Sequence, residues 1–166
     1  MTTMRVERYI GLLIICATAV IATALASEIF GGLVPCDLCL QQRWPYYIAI
    51  PLLVICRLAR GSMPTSSAPL LALIGLIFLI GAGLAGYHVG VEYKWWAGPS
   101  GCGGGTGLAD NTEALLQALQ NETIVRCDEV AFTLFGLSMT GYNFLASLGL
   151  AALSGLGYAA ARTNGN

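Results

Sequence analysis

Charge is what this chain has least of. Of its 166 residues eight are Lys or Arg and nine are Asp or Glu, so only 10% are charged, against about 25% in a soluble domain. Hydrophobic residues make up 56%. A water-soluble fold, one domain at this length, cannot hide so much apolar surface, and lipid must be part of the solvent. An excess of positive charge is also missing. The net charge is -1 and the bases are scattered, whereas phosphate binding needs a basic patch, so nucleic acid is excluded as a partner. Histidine is nearly absent, with His88 the single one. A structural zinc site, which usually takes four Cys or His ligands, would need the cysteines to complete it.

Cysteine, by contrast, is plentiful for a membrane chain: there are six. Cytosolic thiols stay reduced, so persistent disulfides point to an oxidising compartment. An oxidising setting also disfavours free metal thiolates, and no metal is expected.

A spanning helix needs about 20 mostly apolar residues. Charge is absent from Tyr9 to Ser27, from Trp44 to Cys56, from Gly61 to Val91 and from Val130 to Ala161. These runs predict four spanning helices near 9–29, 41–60, 68–90 and 141–161. The second requires the helix to extend back past Arg43, whose side chain would snorkel to the interface. Arg5 and Arg8 ahead of an apolar stretch, with Ala24-Leu25-Ala26 beyond it, also resemble a cleaved signal peptide. The stretch exceeds the usual signal length, which favours a retained span. Arg5, Arg8, Arg57, Arg60 and Arg162 fall on one side, Arg43, Lys94 and Arg126 on the other. That bias puts both termini inside. Trp44, Tyr46, Tyr47, Tyr93, Trp95 and Trp96 gather at the outer ends of the second and third helices, where an aromatic belt belongs. The expected fold is thus all-α: a single transmembrane four-helix bundle over 1–166, with a short outer loop near 30–40 and a long one near 91–140.

The long loop opens with a glycine-rich run, Gly98 to Gly105, that cannot hold regular structure cheaply. Asp110 or Asn111 can then cap a short helix over 112–120. The apolar run from Val130 to Met139 is expected to pack on the bundle or dip into the interface.

Position sorts the cysteines. Cys16 and Cys56 fall within spans, where cysteine acts as a small apolar residue. Cys36 and Cys39 form a Cys-x-x-Cys entering the second helix, while Cys102 and Cys127 bracket the long loop. Four cysteines allow three pairings, and a 36–39 plus 102–127 pairing fits two separate loops. Residues three apart share one face of a helical turn. At a helix N-terminus the unpaired N–H groups favour the reactive thiolate.

Arg43 follows Cys39 by four residues, one helical turn away. A charge at the top of a span is a functional candidate. Its guanidinium can snorkel, or it can stabilise a thiolate or the oxyanion of a reducing quinone. His88 is either interfacial filler or a donor to a quinone carbonyl, with Glu92 its helical neighbour. Glu28 reads as a boundary residue.

Pro35-Cys36-Asp37-Leu38-Cys39-Leu40-Gln41-Gln42-Arg43 resembles the signature of the DsbB family of disulfide bond formation proteins. Trp44-Pro45-Tyr46-Tyr47, Tyr87-His88-Val89-Gly90-Val91-Glu92, Cys127-Asp128, Phe135-Gly136-Leu137-Ser138-Met139 and Asn143 also fit that family. The resemblance covers nearly the whole chain. It implies a four-helix bundle in the bacterial inner membrane with both termini cytoplasmic and the active cysteines facing the periplasm. It implies that Cys102 and Cys127 exchange with a soluble DsbA-like thioredoxin-fold oxidase, and that Cys36 and Cys39 pass the electrons to ubiquinone or menaquinone. By matched position Cys39 would contact the quinone, Arg43 would support it, and Gln42 and His88 would lie in the quinone site. The glycine-rich stretch after Cys102 departs from the family pattern, and its freedom would let the distal cysteines travel to the inner pair. Two other classes remain open. A vitamin K epoxide reductase-like enzyme also joins thiols to quinone on four helices, but its quinone-reducing Cys-x-x-Cys ends a late helix. A non-enzymatic membrane protein with structural disulfides is the plainer alternative.

Overall fold

The computed structural model describes residues 2–59, 67–99, 126–130 and 132–163. Cys102, Arg60, most of the glycine-rich run and the expected helix over 112–120 lie outside them. The elements are α1 (Thr2–Ile29), α2 (Asp37–Gln41), α3 (Trp44–Ala59), α4 (Ala68–Glu92), a short hairpin of β1 (Thr133–Leu134) and β2 (Leu137–Ser138), and α5 (Met139–Arg162). Helices α1, α4 and α5 each contain a segment long and apolar enough to cross a membrane: Met4–Ile29, Ala68–Glu92 and Met139–Arg162.

The expected second helix is divided. Rather than running from 41 to 60, it is a five-residue α2, a turn at Gln42–Arg43 and a 16-residue α3. Pro45 supplies the reason. It has no N–H to offer the Gln41 carbonyl, and its ring clashes with a carbonyl four residues back in a continuing helix. It also disfavours helical geometry at Trp44. The turn is closed by Arg43 N–H to Leu40 C=O at 3.1 Å, and α3 restarts with Tyr46 and Tyr47 N–H both on the Arg43 carbonyl. At about 1.5 Å per residue, the 16 residues of α3 cover about 24 Å, somewhat less than a bilayer core of about 30 Å.

Packing closes a ring. The α4–α5 interface is the largest, and α1 on α5, α1 on α3 and α3 on α4 complete the circuit. The core-facing stripe of α1 is Val6, Ile10, Leu13, Ala17 and Ile21, recurring every three or four residues as a helical face must. Tyr46, Ala49 and Leu53 do the same on α3, and Leu71, Ile74, Phe78, Ala82 and Ala85 on α4. On α5 the inward positions include Ser147, Leu150, Ser154, Gly157 and Ala161. Small residues are favoured there because helices in lipid associate through close packing and hydrogen bonds, not by leaving water. The outward faces carry Leu12, Ile15, Ile55, Leu58, Leu76, Leu79, Ile80, Leu145 and Leu156, all exposed. Cys16 joins that outward surface on α1, while Cys56 is half-buried against the core.

Most of the expected aromatic belt is exposed: Trp44, Tyr47, Tyr93, Trp95 and Trp96. Tyr46 is the exception. At 2% exposure it belongs to the core, edge-on to Phe78, because it shares the inward stripe of Ala49 and Leu53. Trp96 folds back over α4, stacks on Tyr87 and donates its indole N–H to the Tyr87 carbonyl at 3.0 Å. Gly90 makes room for it: a Cβ there would run into the indole ring. Gly90→Ala is therefore expected to expel Trp96, lower stability by about 1 kcal/mol or more and red-shift the tryptophan emission. An unchanged spectrum would refute that packing.

The apolar run after Val130 forms the β1–β2 hairpin, an addition to the expected all-helical fold. Phe135 (φ 50°) and Gly136 (φ 81°) make its two-residue turn, the pairing of positive φ angles that matches strand twist. Phe135 is almost wholly exposed, with Phe132 and Leu134 also outward. The strand then delivers Ser138 as the N-cap of α5, its hydroxyl accepting from Gly141 N–H at 3.1 Å.

Candidate disulfide-exchange site

The site lies where α2 meets the ends of α4 and α5. Cys36 is the N-cap of α2, in extended geometry (ψ 169°), and its sulfur accepts the Cys39 N–H at 3.3 Å. That capping geometry places the Cys36 and Cys39 sulfurs 2.7 Å apart. Leu38 and Val91 wall the pair, together with Cys127 brought over by the chain leading to the hairpin. Cys127 is itself disulfide-bonded. Its sulfur, that of Cys36 and a ring nitrogen of His88 all lie within 4.8 Å of one another. Cys36 and Cys127 are buried, and Cys39 is less so.

The two vicinal sulfurs differ electrostatically. The Cys36 thiol is held well below its ordinary range, chiefly by the hydrogen bond from the Cys39 side chain; burial opposes this, while the His88 ring and the Cys39 N–H assist. The Cys39 thiol is pushed up, first because it shares its proton with Cys36, then by burial and by the negative charges of Cys36 and Glu92. In the dithiol form the charge sits on Cys36 and the proton on Cys39. The sign follows directly: as pH falls below the ordinary thiol range, one thiolate should persist in the reduced protein. Titrating thiolate ultraviolet absorbance should show it, and Cys36→Ser should remove it. Loss of all thiolate signal at the ordinary thiol pKa would contradict the arrangement.

Arg43, in the turn between α2 and α3, donates to Glu28 Oε2 at 2.7 Å, with the guanidinium mostly buried. Glu28 is thus an ionic partner and more than a helix boundary. Nothing local signals this, since 15 residues separate the two. It is the only ion pair Arg43 makes among the described residues, and further guanidinium N–H groups stay available to another acceptor.

His88 is 1% exposed, so it is not interfacial filler. Its Nδ1 lies 2.6 Å from Gln42 Nε2, and its Nε2 lies 3.3 Å from the Cys127 carbonyl and 3.7 Å from Cys36 Sγ. Gln42 is also buried and accepts from Asn143 Nδ2 at 2.6 Å. Both side chains thus spend their polar atoms on protein partners, and a quinone carbonyl would have to displace one of them. Glu92 accepts from Ser138 at 2.6 Å and from Thr140 at 2.7 Å, and the Thr140 hydroxyl also lies 3.4 Å from His88 Nδ1. Sequence reasoning missed Ser138, Thr140 and Asn143 as site members. A signal existed: Thr140, Asn143 and Ser147 recur at helical spacing on α5, a polar stripe inside an apolar span.

Cys36, His88 and Cys127 lie close together, but Cys127, held in a disulfide, offers no thiolate to a thiophilic cation. Ligation by His88 would need a bare Nε2, yet that nitrogen faces the Cys127 carbonyl, which only accepts. The surroundings therefore suit disulfide exchange better than a metal.

Known proteins bear on the same residues. The family model described as disulfide bond formation protein DsbB matches residues 6–157. A disulfide bond formation protein B of Methylococcus capsulatus is 31% identical over 144 residues, covering 82% of this chain and 84% of its own. One from Xylella fastidiosa is 29% identical over 140 residues, 82% and 80% of the two chains. Disulfide bond formation protein B 2 of Pseudomonas syringae pv. syringae is 30% identical over 130 residues, 74% and 70%. No solved structure matches significantly. With the match spanning nearly the whole chain and enclosing the Cys36–Cys39 pair, Arg43, His88 and Cys127, the protein belongs to the DsbB family of disulfide bond formation proteins.

Proposed function

We propose that this protein is a quinone-dependent protein-disulfide oxidoreductase of the bacterial inner membrane. In this reading it reoxidises a DsbA-like thioredoxin-fold oxidase on the periplasmic side and gives the electrons to ubiquinone or menaquinone. One observation supports it most: the Cys36–Cys39 pair sits where α2 meets the ends of α4 and α5, with the Cys127 sulfur within 4.8 Å of Cys36 Sγ.

The chemistry balances as a relay of disulfides. The partner's thiolate attacks the Cys102–Cys127 disulfide, and its second thiol resolves the mixed disulfide, leaving two thiols on this chain. The Cys127 thiolate attacks Cys36 Sγ of the Cys36–Cys39 disulfide and releases Cys39 as thiolate. Cys102 then attacks Cys127 Sγ, re-forming the outer disulfide and releasing Cys36 as thiolate. Each step is governed by thiolate fraction and by the pKa of the leaving sulfur. Cys36, stabilised by the Cys39 N–H, is a good leaving group in the last exchange. The Cys36–Cys39 dithiol returns to disulfide by giving up two electrons and two protons.

A quinone supplies the lipid-soluble acceptor for those two electrons and two protons. The residues present fit such a group. Arg43 follows Cys39 by four residues, in the turn between α2 and α3, with N–H donors beyond the one that Glu28 takes. It would hold the oxygen that gains charge. The Cys-x-x-Cys opens α2 ahead of the second span and does not end a late helix, which disfavours the vitamin K epoxide reductase-like reading. A structural disulfide has no use for a thiolate-stabilising surround, which disfavours the scaffold.

The test is a purified-protein assay with a reduced thioredoxin-fold dithiol protein and a soluble quinone, following quinone absorbance. Quinone reduction dependent on both components is expected. Its absence would end this reading.

A further inference from the structure

A line of polar side chains crosses the bundle interior beneath Cys36. Tyr46 Oη donates to Asn143 Oδ1 at 2.7 Å, Asn143 Nδ2 donates to Gln42 Oε1 at 2.6 Å, and Gln42 Nε2 meets His88 Nδ1 at 2.6 Å. It joins α3, α5, the α2–α3 turn and α4, and each member forecloses a choice for the next. An amide that turns its oxygen to one neighbour and its NH2 to the other accepts from the first and donates to the second. Asn143 takes the Tyr46 proton and so donates to Gln42. Gln42 accepts there and so donates to His88, whose Nδ1 must accept.

The far side of the ring gives the same answer independently. Nε2 faces the Cys127 carbonyl at 3.3 Å and Cys36 Sγ at 3.7 Å. A carbonyl oxygen has no proton to give, so the ring proton is on Nε2. Thr140 Oγ1 also approaches Nδ1, but at 3.4 Å, and its own proton goes to Glu92 at 2.7 Å. The shorter Gln42 contact governs.

We propose that Gln42, oriented by Asn143, is a positioning residue that holds His88 in its Nε2–H tautomer, so that the imidazole is a standing hydrogen-bond donor to the Cys36 sulfur whenever exchange makes it a thiolate. Neutral imidazole can place its proton on either nitrogen, and the hydrogen bond at one decides the other. With the proton on Nδ1, a lone pair would face the Cys36 thiolate and repel it. This inference rests on Cys36 being an exchanging sulfur, as proposed above. It adds a role for Gln42 and Asn143 that touches neither quinone nor partner.

The experiment uses the single histidine. Long-range ¹H–¹⁵N spectra of the reduced, full-length protein in detergent contain one imidazole and need no assignment. The expected spectrum is that of the Nε2–H tautomer. Gln42→Met, which keeps length and removes the donor, should give a mixture of tautomers. The rate at which a small-molecule disulfide is exchanged by Cys36 should fall about tenfold, the scale of one hydrogen bond to a charged group. Its pH profile should move upward. Asn143→Leu should shift both in the same direction. The titratable groups around the Cys36 sulfur are Cys39, His88 and, behind Thr140, Glu92, while Cys127 does not titrate in its disulfide; the two variants alter none of them. A wild-type Nδ1–H tautomer would overturn the proposal without requiring any variant to fold. So would a Gln42→Met protein with unchanged tautomer and pH profile. Neither readout uses quinone or the partner protein, so a failed quinone assay beside the expected tautomer would remove the proposed function alone.

Discussion

Cys39→Ser protein, given reduced partner and quinone, is expected to turn over at the background rate while accumulating a Cys36–Cys127 disulfide. The reason is geometric. Cys39 lies 2.7 Å from Cys36 and is the one described sulfur positioned to close the inner disulfide. Without it Cys36 keeps one other described partner within reach, Cys127, at no more than 4.8 Å. The Cys36 thiolate can still attack Cys127 Sγ of the Cys102–Cys127 disulfide and release Cys102 as thiolate, so the relay should stall at the cross-loop bond, which non-reducing peptide mapping would detect. Cys36→Ser should also abolish turnover but trap no such bond, because the shared partner of Cys39 and Cys127 is gone. It should also lower the Cys39 thiol toward its ordinary range, since Cys36 is the first cause of its elevation. Residues acting as one unit lose nearly all activity when any is removed, so loss of rate alone does not order the steps. The trapped species does. Turnover in Cys39→Ser near the wild-type rate would sink the relay.

Arg43→Met is expected to cut kcat/KM for quinone by about 10- to 100-fold, the range of a lost charge-assisted hydrogen bond. It should leave exchange between the cysteine pairs nearly unchanged. Glu28 shows why the two can be separated. It holds one guanidinium N–H of Arg43 at 2.7 Å, and no described residue takes the others. Glu28→Gln should spare the quinone reaction, because the cation stays in place and loses a competitor. Arg43→Lys should fall between, keeping charge but not the planar fork. The cost to stability of Arg43→Met is expected to be about 1 kcal/mol or less, because Glu28 is more than one-third exposed and can be solvated. Unchanged quinone kinetics in Arg43→Met would mean that this arginine serves only the ion pair with Glu28.

Several features of the site are legible in the sequence. Cys36 and Cys39 declared themselves by spacing, and α2 does begin at Asp37 with Cys36 as its cap. Cys127 was legible as an outer cysteine, but its approach to Cys36 was not, since 91 positions part them and no periodicity reports on such a distance. The break between α2 and α3 could have been read from Pro45; the uncharged run hid it, because hydropathy is blind to a missing N–H. His88, near a helix end, is open in the sequence to two readings, interfacial filler or quinone donor, because position alone does not report burial. The groups against its ring, Gln42, the Cys127 carbonyl and Thr140, come from three other parts of the chain.

Composition and pattern by themselves determined that this is a membrane protein, where its three long apolar helices run and which cysteines are candidates for thiol chemistry. Those properties are local: lipid demands long apolar runs whatever lies beside them, and disulfide chemistry needs its atoms named in the chain. Only the tertiary structure decided which of those atoms meet. It set Glu28 on Arg43, Cys127 beside Cys36 and Asn143 on Gln42, because in a low-dielectric interior a buried polar group must find a partner on whichever helix packs against it. That choice is made by packing, after the helices exist.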